Sequence, residues 1–357
     1  MIALQWQGQV LSLLDQSKYP VQETWIDCAT VEEVAKALSS GAVEEEKIAG
    51  IAAAYGYGLA AIAHQDAQQT PAFDQALADD KALLLASRPG SRDVARAIRF
   101  LENPPEAYTK NVDRLTTLMA TAVTFDRQNV VADRNICRNG TDMMSEGTRV
   151  LLRTDKGLFH SASPSGVCGI VRRGWKRKNI EQIVLCEGRP SQEAGSRIAK
   201  ELTEKESVPV IVIPDHAAAT CLARQGANVV LTDGILAAKN GDLKAPVGTY
   251  ELAIACYFHS IPFYAVMNAE DIDLDIPSGD AFGRDELDQE AAAPGLDCGT
   301  AERWCPAYDV IPAFLITGYL TDRGIGSAPY EETLDYLVKH APKKLVLNFD
   351  DNTALNI

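Results

Sequence analysis

The sequence predicts an α/β chain in which an amino-terminal β-start and helical bundle precede a Rossmann-like, doubly wound parallel sheet. Three observations predict it. In the first 147 residues the apolar positions recur mainly at helical spacing. From residue 148 onward, short apolar runs alternate with helical stretches in a β-α rhythm, the pattern of a parallel sheet covered by helices. Most of those runs also end in a polar or glycine step, namely Glu187-Gly188, Asp215-His216, Asp233-Gly234 and Asn268. An open parallel sheet gathers its ligand-binding groups at such carboxyl ends. A chain of 357 residues is long enough for two domains with their own cores, expected at 1–147 and 148–357.

In order along the chain, "ALQWQGQVLSLLDQ" and "ETWIDCAT" read as short strands. "TVEEVAKALSSG" then reads as a helix, because Thr30 can cap it, Glu33 completes a capping box and Gly41 follows its end. Further helices are expected at 48–64, 72–86, 91–101 and 107–125. "TRVLLRT" and "GLFHSA" are expected to pair as a hairpin around Asp155-Lys156-Gly157. The alternation continues with a helix in "GIVRRGWKRK", strand "QIVLCEG", helix "SQEAGSRIAKELTE", strand "VPVIVIPD", helix "HAAATCLARQG", strand "ANVVLTD", helix "GTYELAIACYFHS" and strand "IPFYAVMN". Between the last two of these strands, Asn240-Gly241-Asp242 reads as a loop. The acidic, Gly/Pro-rich stretch 277–306 reads as a long loop, and "KKLVLNF" as a final strand. Arg172, Arg173, Lys176, Arg177 and Lys178 read as a solvated helix face with Trp175 packed beneath it.

Composition narrows the function classes. A formal net charge of −15 repels polyanions, so neither a nucleic-acid surface nor an anionic membrane surface is expected. No apolar run approaches the roughly 20 residues that cross a bilayer, and the start lacks the basic and apolar regions of a secretory signal. A cytoplasmic protein follows as the expectation. The eight cysteines never form C-x-x-C, so no metal knuckle and no redox pair is indicated, and they read as small residues of a reduced compartment. Neither G-x-G-x-x-G nor G-x-x-x-x-G-K-[ST] occurs, which leaves no nucleotide fingerprint and no cofactor expected.

The blocks "LLDQSKYPVQETWIDCATVEEVAKAL", "GIAAAYGYGLA", "LLLASRPGSRD", "GSRIAKEL", "NGDLKAPVGTYELA" and "YDVIPAFLITGYLTDRGI" resemble, in order, those of methylthioribose-1-phosphate isomerase. That enzyme shares its fold with ribose-1,5-bisphosphate isomerase and with the regulatory subunits of eukaryotic initiation factor two-B. The resemblance implies conversion of an aldose 1-phosphate into a ketose 1-phosphate, without metal, by a dimer. It also implies a cysteine and an aspartate moving protons and hydrogen, and Arg, Gln, Asn, Lys and a helix N-terminus holding the phosphate.

Carried over by position, several of those groups change. The family's Arg-Gly-Ala-Pro turn is Glu44-Glu45-Glu46-Lys47, which replaces a phosphate-binding cation by carboxylates; its second arginine is Arg88. The His-Cys-Asn turn is expected at His160-Ser161-Ala162, so that Ser161 stands for the catalytic thiol and Cys168 is the nearest substitute. Gln192 lies one step from the phosphate-binding glutamine, and Ala245-Pro246 replace Asn-Lys. Asp233 reaches the catalytic aspartate's place with two residues inserted; an ungapped match puts Ile235 there.

The candidate catalytic residues are therefore Asp233, Ser161 and Cys168. The candidate substrate-binding residues are Arg88, His160, Gln192, Asn240, Gly241 and Gly248, with no metal ligand. Each has an ordinary structural alternative: a strand-end Asp caps turns, a lone His or Arg is bonded within the structure, and Ser163 and Ser165 suit a polar loop around Pro164. Three functions stay open: a sugar-phosphate isomerase with an altered site, a related enzyme whose substrate lacks the phosphate at that subsite, or a non-catalytic ligand sensor or assembly subunit like those of initiation factor two-B. A sugar-like small molecule and a second copy of the chain are the expected partners.

Overall fold

The computed structural model describes residues 1–67, 70–109 and 113–340. The chain divides into two compact units. Their boundary falls between Val131 and Ala132, and the short segment Phe159–Ser163 returns to the first unit.

In the first unit, β1 (Leu4–Trp6), β2 (Leu11–Leu14) and β3 (Trp25–Cys28) form an antiparallel sheet in that order. Helix α1 (Val31–Ser39) begins with the expected capping box, with Thr30 accepting from the Glu33 N–H and Glu33 accepting in return. Helix α2 (Glu46–Ala63) is buried from Ile48 to Ala61 and has no polar face, as befits the central rod of a bundle. Its small residues let neighbours come close: a Cβ on Gly50 would lie 2.8 Å from the Asp93 carbonyl oxygen. Around it run α3 (Pro71–Ser87), α4 (Arg92–Glu102) and the short α5 (Glu106–Thr109). The helix expected at 107–125 is corrected: α5 ends at Thr109, and a new helix α6 (Arg114–Asp142) runs well past residue 125.

The second unit is built on seven strands in the order β14-β13-β10-β7-β4-β5-β6. These are β4 (Thr148–Arg153), β5 (Ile180–Cys186), β6 (Ile211–Ile213), β7 (Val229–Asp233), β10 (Phe263–Val266), β13 (Gly318–Thr321) and β14 (Gly324–Gly326). All neighbours are parallel except β13 and β14. The chain winds outward from β4 through β5 to β6, then returns to the other side of β4 and continues through β7, β10 and β13. Strand order thus reverses between β4 and β7, the place where a doubly wound sheet opens its crevice.

Helices α7 (Gly166–Lys176), α8 (Glu193–Lys200), α9 (Ala218–Ala223) and α10 (Thr249–His259) supply the crossovers, and α12 (Tyr330–Lys339) follows β14. The core gathers Leu151, Val184, Val230, Ala265 and Tyr319 of the sheet with Leu252 and Cys256 of α10. Between β7 and α10 the chain forms β8 (Leu236–Ala238) and β9 (Leu243–Ala245), a hairpin turning at Asn240-Gly241. With β11 (Ile272–Asp273) and β12 (Asp309–Ile311) this hairpin makes a second, four-stranded sheet. The segment 277–306 is mostly loop, as expected, with a 3-10 turn at Gly279–Ala281 and one turn of α-helix, α11 (Gln289–Ala292).

Three further expectations are corrected. The hairpin around Asp155-Lys156-Gly157 does not form, because β4 lies between two parallel neighbours and spends its ladder on them. His160 instead makes an isolated parallel bridge to Ile2. The segment Asn240-Gly241-Asp242 is the tight turn of a hairpin rather than a plain loop. Arg172 is buried, not solvated, and pairs with Glu206 at 2.7 Å, whereas Lys176, Arg177 and Lys178 are exposed. The strand expected in "KKLVLNF" lies outside the described residues.

Candidate active site

The register places Arg153 of β4 opposite Thr232 of β7, so the next residues, Thr154 and Asp233, meet where the strand order reverses. The Thr154 hydroxyl donates to Asp233 Oδ2 at 2.8 Å. The same oxygen accepts the backbone N–H of Asp155 at 2.8 Å and of Lys156 at 3.0 Å. Asp233 is only 3% exposed. Burial pushes its carboxyl above the ordinary range, while Lys156 and the Thr154 hydroxyl pull the other way.

The turn at 154–157 is pinned from the other side by α7. Cys168, 1% exposed, donates its thiol to the Lys156 carbonyl at 3.5 Å. Gly157 sits at φ +77°, and a Cβ there would lie 2.7 Å from the Ser165 carbonyl oxygen, so only glycine lets the turn lie so close to the start of α7.

Arg153 extends this cluster under the amino end of α10. It is 2% exposed; Nη1 donates to Asp155 at 2.6 Å, and Nη2 donates to the Val247 carbonyl at 2.9 Å and to the Arg189 carbonyl at 3.4 Å. Asp215, at the end of β6, ties down the loop after β5 by accepting the Gly188 and Arg189 N–H groups at 3.0 and 2.6 Å. A small cleft, with room for little more than a water molecule, opens beside these residues, lined by Arg153, Cys186, Asp215, Gly248, Glu251 and Leu252. Desolvation lifts the Cys186 thiol to about 12, which leaves it a protonated apolar wall rather than a nucleophile. Asp309 accepts the Tyr250 N–H at 2.8 Å at the amino end of α10; burial raises its carboxyl and the α10 backbone N–H groups oppose the rise.

The structure brings Asp233 and Cys168 together on one turn. Gln192, with φ 61°, precedes α8 and donates to Glu187 at 2.6 Å, and Gly248, with φ +88°, opens α10 on the cleft. Asn240 and Gly241 hold the β8–β9 turn: Asn240 bonds Asp242, and Gly241 lies against the Tyr330 ring while its carbonyl accepts from Tyr319 at 2.6 Å.

Arg88, His160 and Ser161 belong to the first unit. Arg88 Nε donates to Glu46 at 2.8 Å and Nη2 to the Glu44 carbonyl at 2.9 Å, and Nη1 donates to the Val43 carbonyl, so its guanidinium fastens the start of α2. His160 exchanges backbone hydrogen bonds with Met1 and Ala3, and its Nε2 lies 3.2 Å from the Met1 amino group. Ser161 bonds Asp126, a buried carboxylate that also accepts from Tyr55 at 3.0 Å and is raised by desolvation.

Sequence reasoning missed Arg153, Thr154 and Lys156. The signal was present: "RTDKG" is the polar step after an apolar run, like the steps after the other strands, but the hairpin reading assigned it to a turn. The hydroxyl beside the candidate aspartate is therefore that of Thr154, seven positions before Ser161.

A doubly wound sheet with a buried carboxylate and a hydroxyl at its switch point defines a Rossmann-like α/β protein. The chain belongs to the initiation factor 2 subunit family, whose profile matches residues 43–328. It is similar to the methylthioribose-1-phosphate isomerase of Alkalilimnicola ehrlichii, 32% identical over 90% of this chain and 93% of the relative. The enzyme of that name from Pelotomaculum thermopropionicum is 32% identical over 96% of each chain. Among solved structures, 5-methylthioribose 1-phosphate isomerase from Pyrococcus horikoshii superposes with a TM-score of 0.85 at 23% identity, covering 95% of this chain and 96% of its own. The delta subunit of translation initiation factor eIF-2B from A. fulgidus gives 0.80 at 23% identity, covering 94% and 99%. These two likenesses establish the fold.

Proposed function

We propose that the protein is an aldose–ketose isomerase of the methylthioribose-1-phosphate isomerase type, acting on a sugar phosphate with altered reacting groups. The contact that carries the reading is Thr154 to Asp233 at the switch point, 2.8 Å long and shut away from water. A carboxyl whose neutral form is favoured by burial is suited to donate a proton. In the proposed cycle Asp233 protonates the ring oxygen as the C1–O bond opens, hydrogen passes from C2 to C1, and the C2 hydroxyl returns a proton to Asp233 as C2 becomes the ketone. Substrate and product are isomers, so the cycle consumes no co-reactant. Thr154 takes the place in which the resemblance implies a thiol, and orients the carboxyl.

The reading includes a homodimer. Tyr250, Ile254, Tyr257 and Phe258 form an exposed apolar stripe on α10, with Tyr257 edge-on to the exposed Phe314. A stripe of that size on a soluble chain calls for a cover, and a second copy supplies one with matching chemistry. The two domains are proposed as 1–147 and 148–357. A cytoplasmic location fits the eight free cysteines, and the acidic charge argues against nucleic acid as a partner. Among the described residues no helix is long and apolar enough to cross a membrane.

A second reading is favoured by Thr154 itself. A hydroxyl is far less acidic than a thiol, which suits a site that binds its sugar phosphate without turning it over, as a ligand sensor. The test is incubation of the purified protein with methylthioribose 1-phosphate, followed by proton NMR. Appearance of the ketose supports the isomerase. Tight binding with no ketose at stoichiometric enzyme supports the sensor and sinks the isomerase.

A further inference from the structure

A sugar phosphate needs a cation, and the cations implied by family resemblance are not there to supply one. Glu44, Glu45 and Glu46 replace one, Ala245-Pro246 replace another, and Arg88 spends its guanidinium on Glu46 and two carbonyls of its own unit. Within the second unit, Arg153 is committed to Asp155 and to the Val247 and Arg189 carbonyls, and Arg189 is itself paired with Glu187 at 3.2 Å. Lys156 differs from all of these. Its backbone is held at both ends, the N–H by Asp233 and the carbonyl by Cys168. Its side chain is half-buried, and its charge acts on the Asp233 carboxyl through space rather than through a salt bridge among the described residues. A point charge on a rigid turn, beside a buried carboxylate and with its donors unspent, is the arrangement of an anion anchor.

We propose that Lys156 is the phosphate anchor of this site, holding the anionic end of the substrate at the turn after β4 while Asp233 faces the sugar carbons. The inference rests on the sugar-phosphate reading for the identity of the ligand, but not on turnover, since a sensor needs the same anchor. The local charges allow it. Asp155 is neutralised by Arg153 at 2.6 Å, and Asp233 Oδ2 is already met by three other donors, so the Lys156 ammonium attracts Asp233 without being spent on it and keeps its donors for an incoming phosphate.

Calorimetric titration with inorganic phosphate and with methylthioribose 1-phosphate tests it in the wild type, Lys156→Met and Lys156→Arg. Because the side chain is partly exposed, both variants are expected to melt within a few degrees of the wild type. Loss of one charge-assisted contact weakens binding about tenfold or more in Lys156→Met, with Lys156→Arg retaining most of it. A parallel measurement reads Lys156 acetylation by mass spectrometry, which phosphate is expected to slow in the wild type. Equal phosphate affinity in wild type and Lys156→Met, no phosphate binding by the wild type, or no protection of Lys156 overturns the anchor. A Lys156 that only balances the Asp233 charge gives the first of those results. Phosphate held by Lys156 with no ketose formed leaves the anchor standing and removes the isomerase reading alone.

Discussion

Thr154 and Asp233 join the ends of two parallel strands across the place where, among the described residues, the order of the sheet reverses, hydroxyl to carboxyl at 2.8 Å. Asp155 and Lys156 add their backbone N–H groups to the same oxygen, so the pair is fixed by the fold and not by a chance rotamer.

Removing the hydroxyl reads its worth directly. Thr154→Val deletes one bond to a buried carboxylate, costing roughly 1.5–3 kcal/mol, whereas Thr154→Ser keeps it. We expect the valine variant to lose stability in urea by that amount and to lose turnover of methylthioribose 1-phosphate about a hundredfold. The serine variant is expected to stay close to wild type. Equal behaviour of Val and Ser variants would show that the hydroxyl has no role.

Burial raises the Asp233 carboxyl, so folding takes up a proton at this site over the pH range between its unfolded and folded values. The group therefore favours the fold at low pH, and that contribution is lost as pH rises through the folded value. Asp233→Asn removes the penalty. We expect the stability of the Asn variant relative to wild type to grow from the ordinary carboxylate range upward and then level off, at a slope of about 1.4 kcal/mol for each tenfold fall in proton concentration. Urea melts at stepped pH measure it; a gap that shrinks with rising pH would mean that the folded carboxyl is depressed.

The cysteines separate by access. Cys28, Cys137, Cys168, Cys186 and Cys256 are buried, and Cys28 and Cys256 are pushed by desolvation to about 11 and about 12. Cys221, Cys298 and Cys305 are partly exposed. Iodoacetamide on the native protein, read by peptide mass spectrometry, is expected to label the last three and spare the others. Rapid labelling of Cys168 would contradict the closed turn and restore it as a stand-in for the missing thiol.

The α10 stripe is tested by charge. Phe258→Glu together with Ile254→Lys is expected to convert a dimer to a monomer in light scattering, with the melting temperature little changed because both side chains face outward. A wild-type monomer at micromolar concentration would rule the dimer out.

Much of the fold was legible in the sequence because its periodicities are local. The capping box at Thr30 and Glu33 formed as expected, and the runs around Val184, Val230 and Ala265 became the centre of the sheet. Asp233 was legible as a strand-end carboxylate. Its partner was not, since pairing is non-local: nothing in "RTDKG" announces that the following chain leaves for the first unit instead of folding back. The local partners of Arg88 were hidden for the same reason, as only the folded start of α2 reveals the Glu46 and carbonyl acceptors that its donors meet. Long helix α6 escaped notice past residue 125 because Asp126, Asn129 and Asp133 interrupt its apolar pattern, and the fold buries Asp126 against Tyr55.

The most direct measurement is a single-turnover comparison of wild type and Asp233→Asn with methylthioribose 1-phosphate, followed by proton NMR. The wild type is expected to form the ketose and the variant to do so about a thousandfold more slowly, while still folded and still binding phosphate. Equal rates in the two proteins would contradict the claim that the carboxyl facing Thr154 moves the proton.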